Sequence, residues 1–291
     1  MNSDICSIIA SYIIKKRMVL DKYIDKNKLD YKQLSLNENA IELLRENKSK
    51  INWDNLSYNK NDDAIKLLRE NAKKINWDNL SYNKNNNAIK ILRENKDKIN
   101  WDILSINSNK DGIKLLKENP EKINWYNLSS NKNAIELLKA NLEKINWNNL
   151  SSNKNGIELL KSNKENIDWD NLSLNNNGIE LLRENPEKIN WTHLSLNKNG
   201  IELLKENPEK IDWDYLSANK NGIELLKSNP EKINWINISL NKKGIEFFKD
   251  NKANIAEIDY SILMRNKDIF ILREIKEELL LIEKALNIHF K

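Results

Sequence analysis

The stretch INWTHLSLNKNGIELLKENPEK, running from Ile189 to Lys210, decides the fold, because close copies of it fill most of the chain. Its tryptophan is one of nine: Trp53, Trp77, Trp101, Trp125, Trp147, Trp169, Trp191, Trp213 and Trp235. They are spaced by 24 residues three times and then by 22 residues five times. A fixed period of this length is the mark of stacked structural repeats. Tyr31 lies 22 residues before Trp53 and Tyr260 lies 25 after Trp235, each in a degenerate copy, so about eleven repeats cover roughly 30–275. The 24-residue steps carry two extra residues at one point, as Asp62-Asp63 in NKNDDAI, which predicts a surface loop there.

Each copy reads as two short helices. Asn190 stands where every copy has Asn or Asp, as an N-cap requires. One or two turns follow from Trp191, short enough to be 3₁₀. Asn197 occupies a column that is Asn in ten copies, which predicts a left-handed residue ending that helix. Asn199 then caps a second helix, with Glu202 three residues on completing a capping box. This helix stops at Asn207, and all four prolines (120, 186, 208, 230) follow that column. All six glycines fill one position that is otherwise Ala in full copies, which predicts close approach of a neighbouring repeat.

Ile, Trp, Leu, Ile, Leu and Leu form the apolar set of one repeat. A unit of about 22 residues cannot bury that set alone, so it must stack. The expectation is an all-α solenoid with the nine Trp in its repeat core. At about 8–10 Å per layer it would be roughly 100 Å long. Residues 1–29 read as an N-terminal helical cap, 30–266 as the tandem repeats and 267–291 as a C-terminal cap helix, together one continuous domain. Burial of the Trp column predicts that Trp147→Ala costs about 3–5 kcal/mol.

The repeat N-x-W-x-x-L-S-x-N followed by A/G-I-E-L-L-x-x-N-P resembles the Trp/Asn-rich tandem repeats of giant DNA viruses of the mimivirus type. The lead-in Tyr23-Ile24-Asp25-Lys26-Asn27-Lys28-Leu29-Asp30-Tyr31 is similar to that family as well. The resemblance covers about 20–265 and implies a viral source, with the host cytoplasm or the virion as location. In its alternation of a very short helix with an α-helix, the chain is also similar to leucine-rich-variant solenoids.

Composition narrows the chemistry. There are 52 Asn among 291 residues, a single cysteine (Cys6) and two histidines (His193 and His289). One cysteine excludes an internal disulfide framework and a cysteine-based zinc site. We expect no metal and no cofactor. No apolar run reaches the ~18 residues of a membrane span, and the run from Ile5 to Ile14 has Asp4 before it instead of a basic segment, unlike a signal peptide. N-x-S triplets such as Asn55-Leu56-Ser57 and Asn171-Leu172-Ser173 lie inside the short helix, where a glycan would compete with folding. The expected location is intracellular and cytoplasmic.

Catalytic groups break a pattern, since their chemistry is needed once. Here nearly every Asp, Glu, Lys, Ser and Asn sits in a repeated column, so we expect no enzyme. Nucleic acid is an alternative partner: the second helix always carries a basic residue, and Arg45, Arg69, Arg93 and Lys117 would contact phosphate. Acids interleave with that column, and the net charge of +5 is uneven, +6 in residues 1–98 and −1 in 99–291. Mixed-charge ladders between repeats account for such a face as well. The positions where copies differ are Tyr58, Tyr82, Ile103, Ile106, Tyr126, His193, Tyr215 and Ile236, and exposed Tyr and Ile on an extended surface suit a protein partner. The expectation is a non-enzymatic scaffold binding another protein, with a nucleic-acid-binding solenoid or a structural component of a viral particle as alternatives. The segment SDICSIIASYI could also recruit an adaptor, as in F-box proteins.

Overall fold

The computed structural model describes residues 29–241, 243, 244 and 247. The N-terminal cap, the C-terminal cap helix, the Tyr260 copy and Cys6 therefore lie outside the described residues. Within them the fold is an all-α solenoid of stacked repeats, with helices and no strand. The chain divides into two compact halves, Met1–Asn146 and Trp147–Lys291.

The repeat at Ile189–Lys210 shows how the chain folds locally. Asn190 is extended (φ −81°, ψ 98°), and its side-chain oxygen accepts the His193 N–H at 3.0 Å. That bond satisfies one of the free amides at the start of the short helix Trp191–Leu196. Leu194 projects inward and is fully buried. Ser195 Oγ donates to Trp191 O at 2.8 Å, so a buried hydroxyl is satisfied inside its own helix. A second helix, Ile201–Glu206, contributes Leu203 and Leu204 to the core. A third element follows that the two-helix reading omits, a 3₁₀ turn from Pro208 to Lys210. Proline suits its first position, where no amide donor is needed and a fixed φ helps. The 3₁₀ geometry belongs to this turn, while the short helix is α. Ile211 then leads into the next cap and is buried.

Two differences in backbone follow from hydrogen bonding. Asn197 is extended (φ −72°, ψ 123°) rather than left-handed, because its side chain is needed elsewhere. The expected capping box is not formed: Gly200 is the N-cap of the second helix and makes no side-chain cap bond, and Glu202 pairs with Lys205 one turn on. Capping by this asparagine column does occur in the 24-residue repeats. There Asn61 accepts from Asp63 N, and the helix runs nine residues, Asp62–Glu70. The two extra residues thus lengthen a helix and make no loop, because Asn61 and the residues behind it nucleate an additional turn.

In the 22-residue repeats the glycine column is tight for a reason other than the expected one. A Cβ on Gly200 would lie 2.7 Å from Leu194 Cδ1 and 2.9 Å from Leu194 O. The crowding comes from the short helix of the same repeat. Where alanine fills the column the backbone gives way, to φ −98° at Ala134 against −77° at Gly200.

In the first half the short helices Trp53–Tyr58, Trp77–Tyr82, Trp101–Ile106 and Trp125–Ser129 pack each on the next, and the long second helices Asp62–Glu70, Asn86–Glu94 and Lys110–Lys117 do the same. In the second half the short helices from Trp147–Ser152 to Trp235–Ile238 stack likewise. The core is made of leucine and isoleucine, among them Leu56, Leu68, Leu80, Leu104, Leu172 and Leu194. The Trp column is not part of it. All nine tryptophans are half-buried, and each sits first in its helix, beside the cap.

Candidate binding surface

Between the leucines and the surface runs a ladder of asparagine amides. Asn197 Nδ2 donates to Ser173 O at 2.8 Å and to Asn175 O at 3.1 Å, both in the preceding repeat. Its Oδ1 accepts the backbone N–H of Asn199. The same double donation recurs at Asn83, Asn107 and Asn131 in the first half and at Asn219 and Asn241 in the second. Each of these amides is buried. Beside it, the Ser195 hydroxyl accepts the backbone N–H of Asp212 in the next repeat, as Ser81 does from Asn100. Among the described residues no buried side-chain nitrogen or oxygen lacks a partner. Each such serine therefore bonds both inside its own helix and to the next repeat. These groups are buried and are engaged within and between repeats.

The basic column faces outward and is spoken for in part. Arg69 reaches Glu94 at 2.7 Å, and Arg45 reaches Glu70 at 3.3 Å. Arg93 pairs with Glu118, and Arg183 with Glu206. Each pair joins one repeat to the next. The hydrogen bond from Arg93 holds the Glu118 carboxyl below its usual range, and the partner carboxylate raises Arg93. Three of the four residues expected to contact phosphate, Arg45, Arg69 and Arg93, are therefore in ladder ion pairs, and Lys117 is exposed.

The varying positions separate into two groups. Tyr58, Tyr82, Ile106, Tyr126, Tyr215 and Ile236 are exposed, Tyr126 by 62% and Ile236 by 52%. Leu36, Tyr58, Tyr82 and Ile106 occupy one column in four consecutive repeats of the first half and all are exposed. Tyr58 and Tyr82 meet edge to face with centroids 5.8 Å apart, and Lys84 Nζ lies 6.0 Å from the Tyr82 ring. Ile103 and His193 are half-buried instead. His193 Nδ1 lies 3.0 Å from Asp170 O. That is the bond Asn79 makes to Asp54 O and Asn237 makes to Asp214 O, so the histidine takes over a structural donor position. The half-open Trp faces add shallow hollows, as between Asp78, Lys98, Trp101 and Asp102. Lys144 lies over one of these rings, its Nζ 4.9 Å from the Trp125 ring centroid.

A helix-ending role for the ladder asparagines leaves out their donation to the preceding repeat, which the structure adds. The signal was present. A cap needs only an acceptor, and that column admits Asp30, Asp168 and Asp212. The ladder column needs an N–H₂ and holds Asn in all ten copies.

No helix among the described residues is long and apolar enough to cross a membrane. The family model described as "Periplasmic copper-binding protein (NosD)" matches residues 102–257. No curated protein and no solved structure matches the chain. Copper prefers imidazole, thiolate and thioether ligands. Residues 102–257 hold one histidine, His193, and neither cysteine nor methionine. His193 turns one ring nitrogen to Asp170 O, and among the described residues no three His, Cys, Asp or Glu side chains gather to hold an ion. The residues of the matched segment do not fit copper. The match takes in 156 of the 291 residues, and through it the chain belongs to the NosD family.

Proposed function

We propose that the chain is a non-enzymatic scaffold that binds another protein through its exposed apolar column. The observation that carries this reading is the contrast between columns. The ladder asparagines and the serines that join repeats hold one residue type per column and are hydrogen-bonded from one repeat to the next. Leu36, Tyr58, Tyr82 and Ile106 vary, are apolar, and stand exposed in consecutive repeats. Tyrosine in such a setting offers a large contact area and a polar tip. The nucleic-acid reading has less support, since the arginines of the basic column are engaged with glutamates. An intracellular location belongs to this proposal. Asn79, Asn127 and Asn237 each head an N-x-S triplet, and their Nδ2 groups donate to the preceding repeat, a bond a glycan would remove. The viral source implied by the repeat signature belongs to it too.

The test is affinity capture from the native cell with the wild-type chain and with Tyr58→Ser/Tyr82→Ser/Ile106→Ser. All three positions are exposed, so the variant is expected to fold and to lose its main protein partner. Capture of the same proteins by both, or tight salt-sensitive binding of RNA or DNA by the wild type alone, would overturn the reading.

A further inference from the structure

Four asparagines stand directly before a glycine: Asn155, Asn177, Asn199 and Asn221. In a flexible chain this dipeptide is the one most open to deamidation, because glycine puts no side chain in the way. The glycine amide nitrogen gives up its proton and attacks the asparagine Cγ. The bond from Cγ to the side-chain nitrogen breaks and ammonia leaves with the proton, closing a succinimide ring. One water then opens the ring to aspartate or isoaspartate. No oxidant or cofactor is needed.

In the folded repeats both reacting groups are held. The Gly200 N–H donates to Asn197 O at 3.1 Å, so the nucleophile is engaged in a turn. Asn199 Nδ2 donates to Asn176 O of the preceding repeat at 2.8 Å, which pins the electrophile. The arrangement repeats at Asn177, which donates to Lys154 O at 2.9 Å, and at Asn221, which donates to Lys198 O at 2.8 Å. Gly178 and Gly222 donate to Asn175 O and Asn219 O, each at 2.9 Å. The side-chain bond exists only while two repeats are stacked.

We propose that Asn177, Asn199 and Asn221 are modification sites whose deamidation is gated by the unstacking of adjacent repeats. Solenoid repeats touch only their neighbours and open locally. Each opening frees the side-chain amide and leaves the glycine nitrogen held only by the short turn of its own repeat. The product lacks the N–H₂ that Asn176 O accepts and sets a carboxylate against that carbonyl, so the interface closes poorly afterwards. A single event therefore leaves a permanent record of opening and favours the next. The 24-residue repeats are exempt, since Asn61, Asn85 and Asn109 are followed by Asp62, Asn86 and Lys110.

The experiment incubates the full chain at about pH 8.5, folded and in urea, and follows the three peptides by mass and isoaspartate content. Deamidation at Asn177, Asn199 and Asn221 is expected to be at least about tenfold slower in the folded protein, because it requires a sparsely populated open state. Gly200→Ala should suppress the reaction at Asn199 in urea and leave Asn177 and Asn221 unchanged, which identifies the chemistry. Folded Asn197→Ala, which loses the ladder amide that ties its repeat to the preceding one, should react faster at Asn199 than the wild type does. Equal rates in folded and unfolded wild type, or no reaction at these sites in urea, would overturn the proposal whether or not the variants fold.

Discussion

Asparagine and aspartate differ by one amino group, and here that difference decides where each is used. The cap column tolerates both, but the choice follows the residue it meets. Asn100, Asn124, Asn190 and Asn234 donate Nδ2 to an aspartate of the preceding repeat, Asp78, Asp102, Asp170 and Asp214. Asp212 instead accepts from Thr192 Oγ1 at 3.1 Å. We expect Asn190→Asp to cost about 1 kcal/mol through the lost hydrogen bond and like-charge contact, and Asp170→Asn to restore most of it. A double-mutant cycle in urea measures the coupling, and a coupling near zero refutes it. Asn197→Asp should cost more, about 2–5 kcal/mol, because two buried carbonyls lose their donor. No single change in the preceding repeat should rescue it. The caps were legible in the sequence because a cap is a local device. The ladder was not, because its acceptors are backbone carbonyls 22 to 26 residues away and carry no side-chain signature.

Helices of four to nine residues are too short to be stable alone, so each is defined by what it packs on. The leucine side of the short helix faces inward and the tryptophan stays at the rim. Leu194→Ala is therefore expected to cost about 2–5 kcal/mol, and Trp191→Ala less, near 2 kcal/mol for a half-buried ring. Chemical denaturation of the two variants reverses this ranking if the tryptophans form the core after all. The glycine column offers a second contrast. A Cβ on Gly112, inside the longer helix Lys110–Lys117, would find its nearest neighbour at an ordinary 3.5 Å. Gly112→Ala should stabilise by about 0.5–1 kcal/mol, as expected for a helix interior. Gly200→Ala should destabilise by about 1 kcal/mol while the backbone moves toward that of Ala134. The period and the two helices of a repeat could be read by comparing the copies. The insertion could not, since two added residues look alike in a loop and in an extra helical turn until the cap they follow is known.

At the scale of the whole molecule the charged faces act together. Asn85 and Asn87 donate to Asp62 and hold its carboxyl below the usual range, as Lys114 does for Asp111 and Arg93 for Glu118. A carboxylate with a depressed folded value contributes stability that is complete above the unfolded range of about pH 4 and is lost as the pH falls through the folded value. Urea midpoints should thus hold steady from neutral pH to about pH 5 and fall below pH 4. The drop should shrink in an Arg93→Gln/Glu118→Gln variant, and a drop of unchanged size would remove the pair from the account. Fold class was readable from the tryptophan spacing together with the helix caps. The binding surface was half readable, because variation marks a column but not whether it is exposed. Ile103 and His193 vary as Tyr58 does, yet lie half-buried.

The amide ladder has a direction: the donor sits in the later repeat and the acceptor in the earlier one. Such a bond reads like a grammar in which each word agrees with the one before it. Whole repeats can be duplicated or deleted in the gene by unequal crossing-over, and every remaining asparagine still finds a serine and an asparagine carbonyl behind it. A slip by half a repeat would leave buried donors facing leucine. The ladder thereby makes the number of repeats easy to change in evolution and their boundaries hard to move.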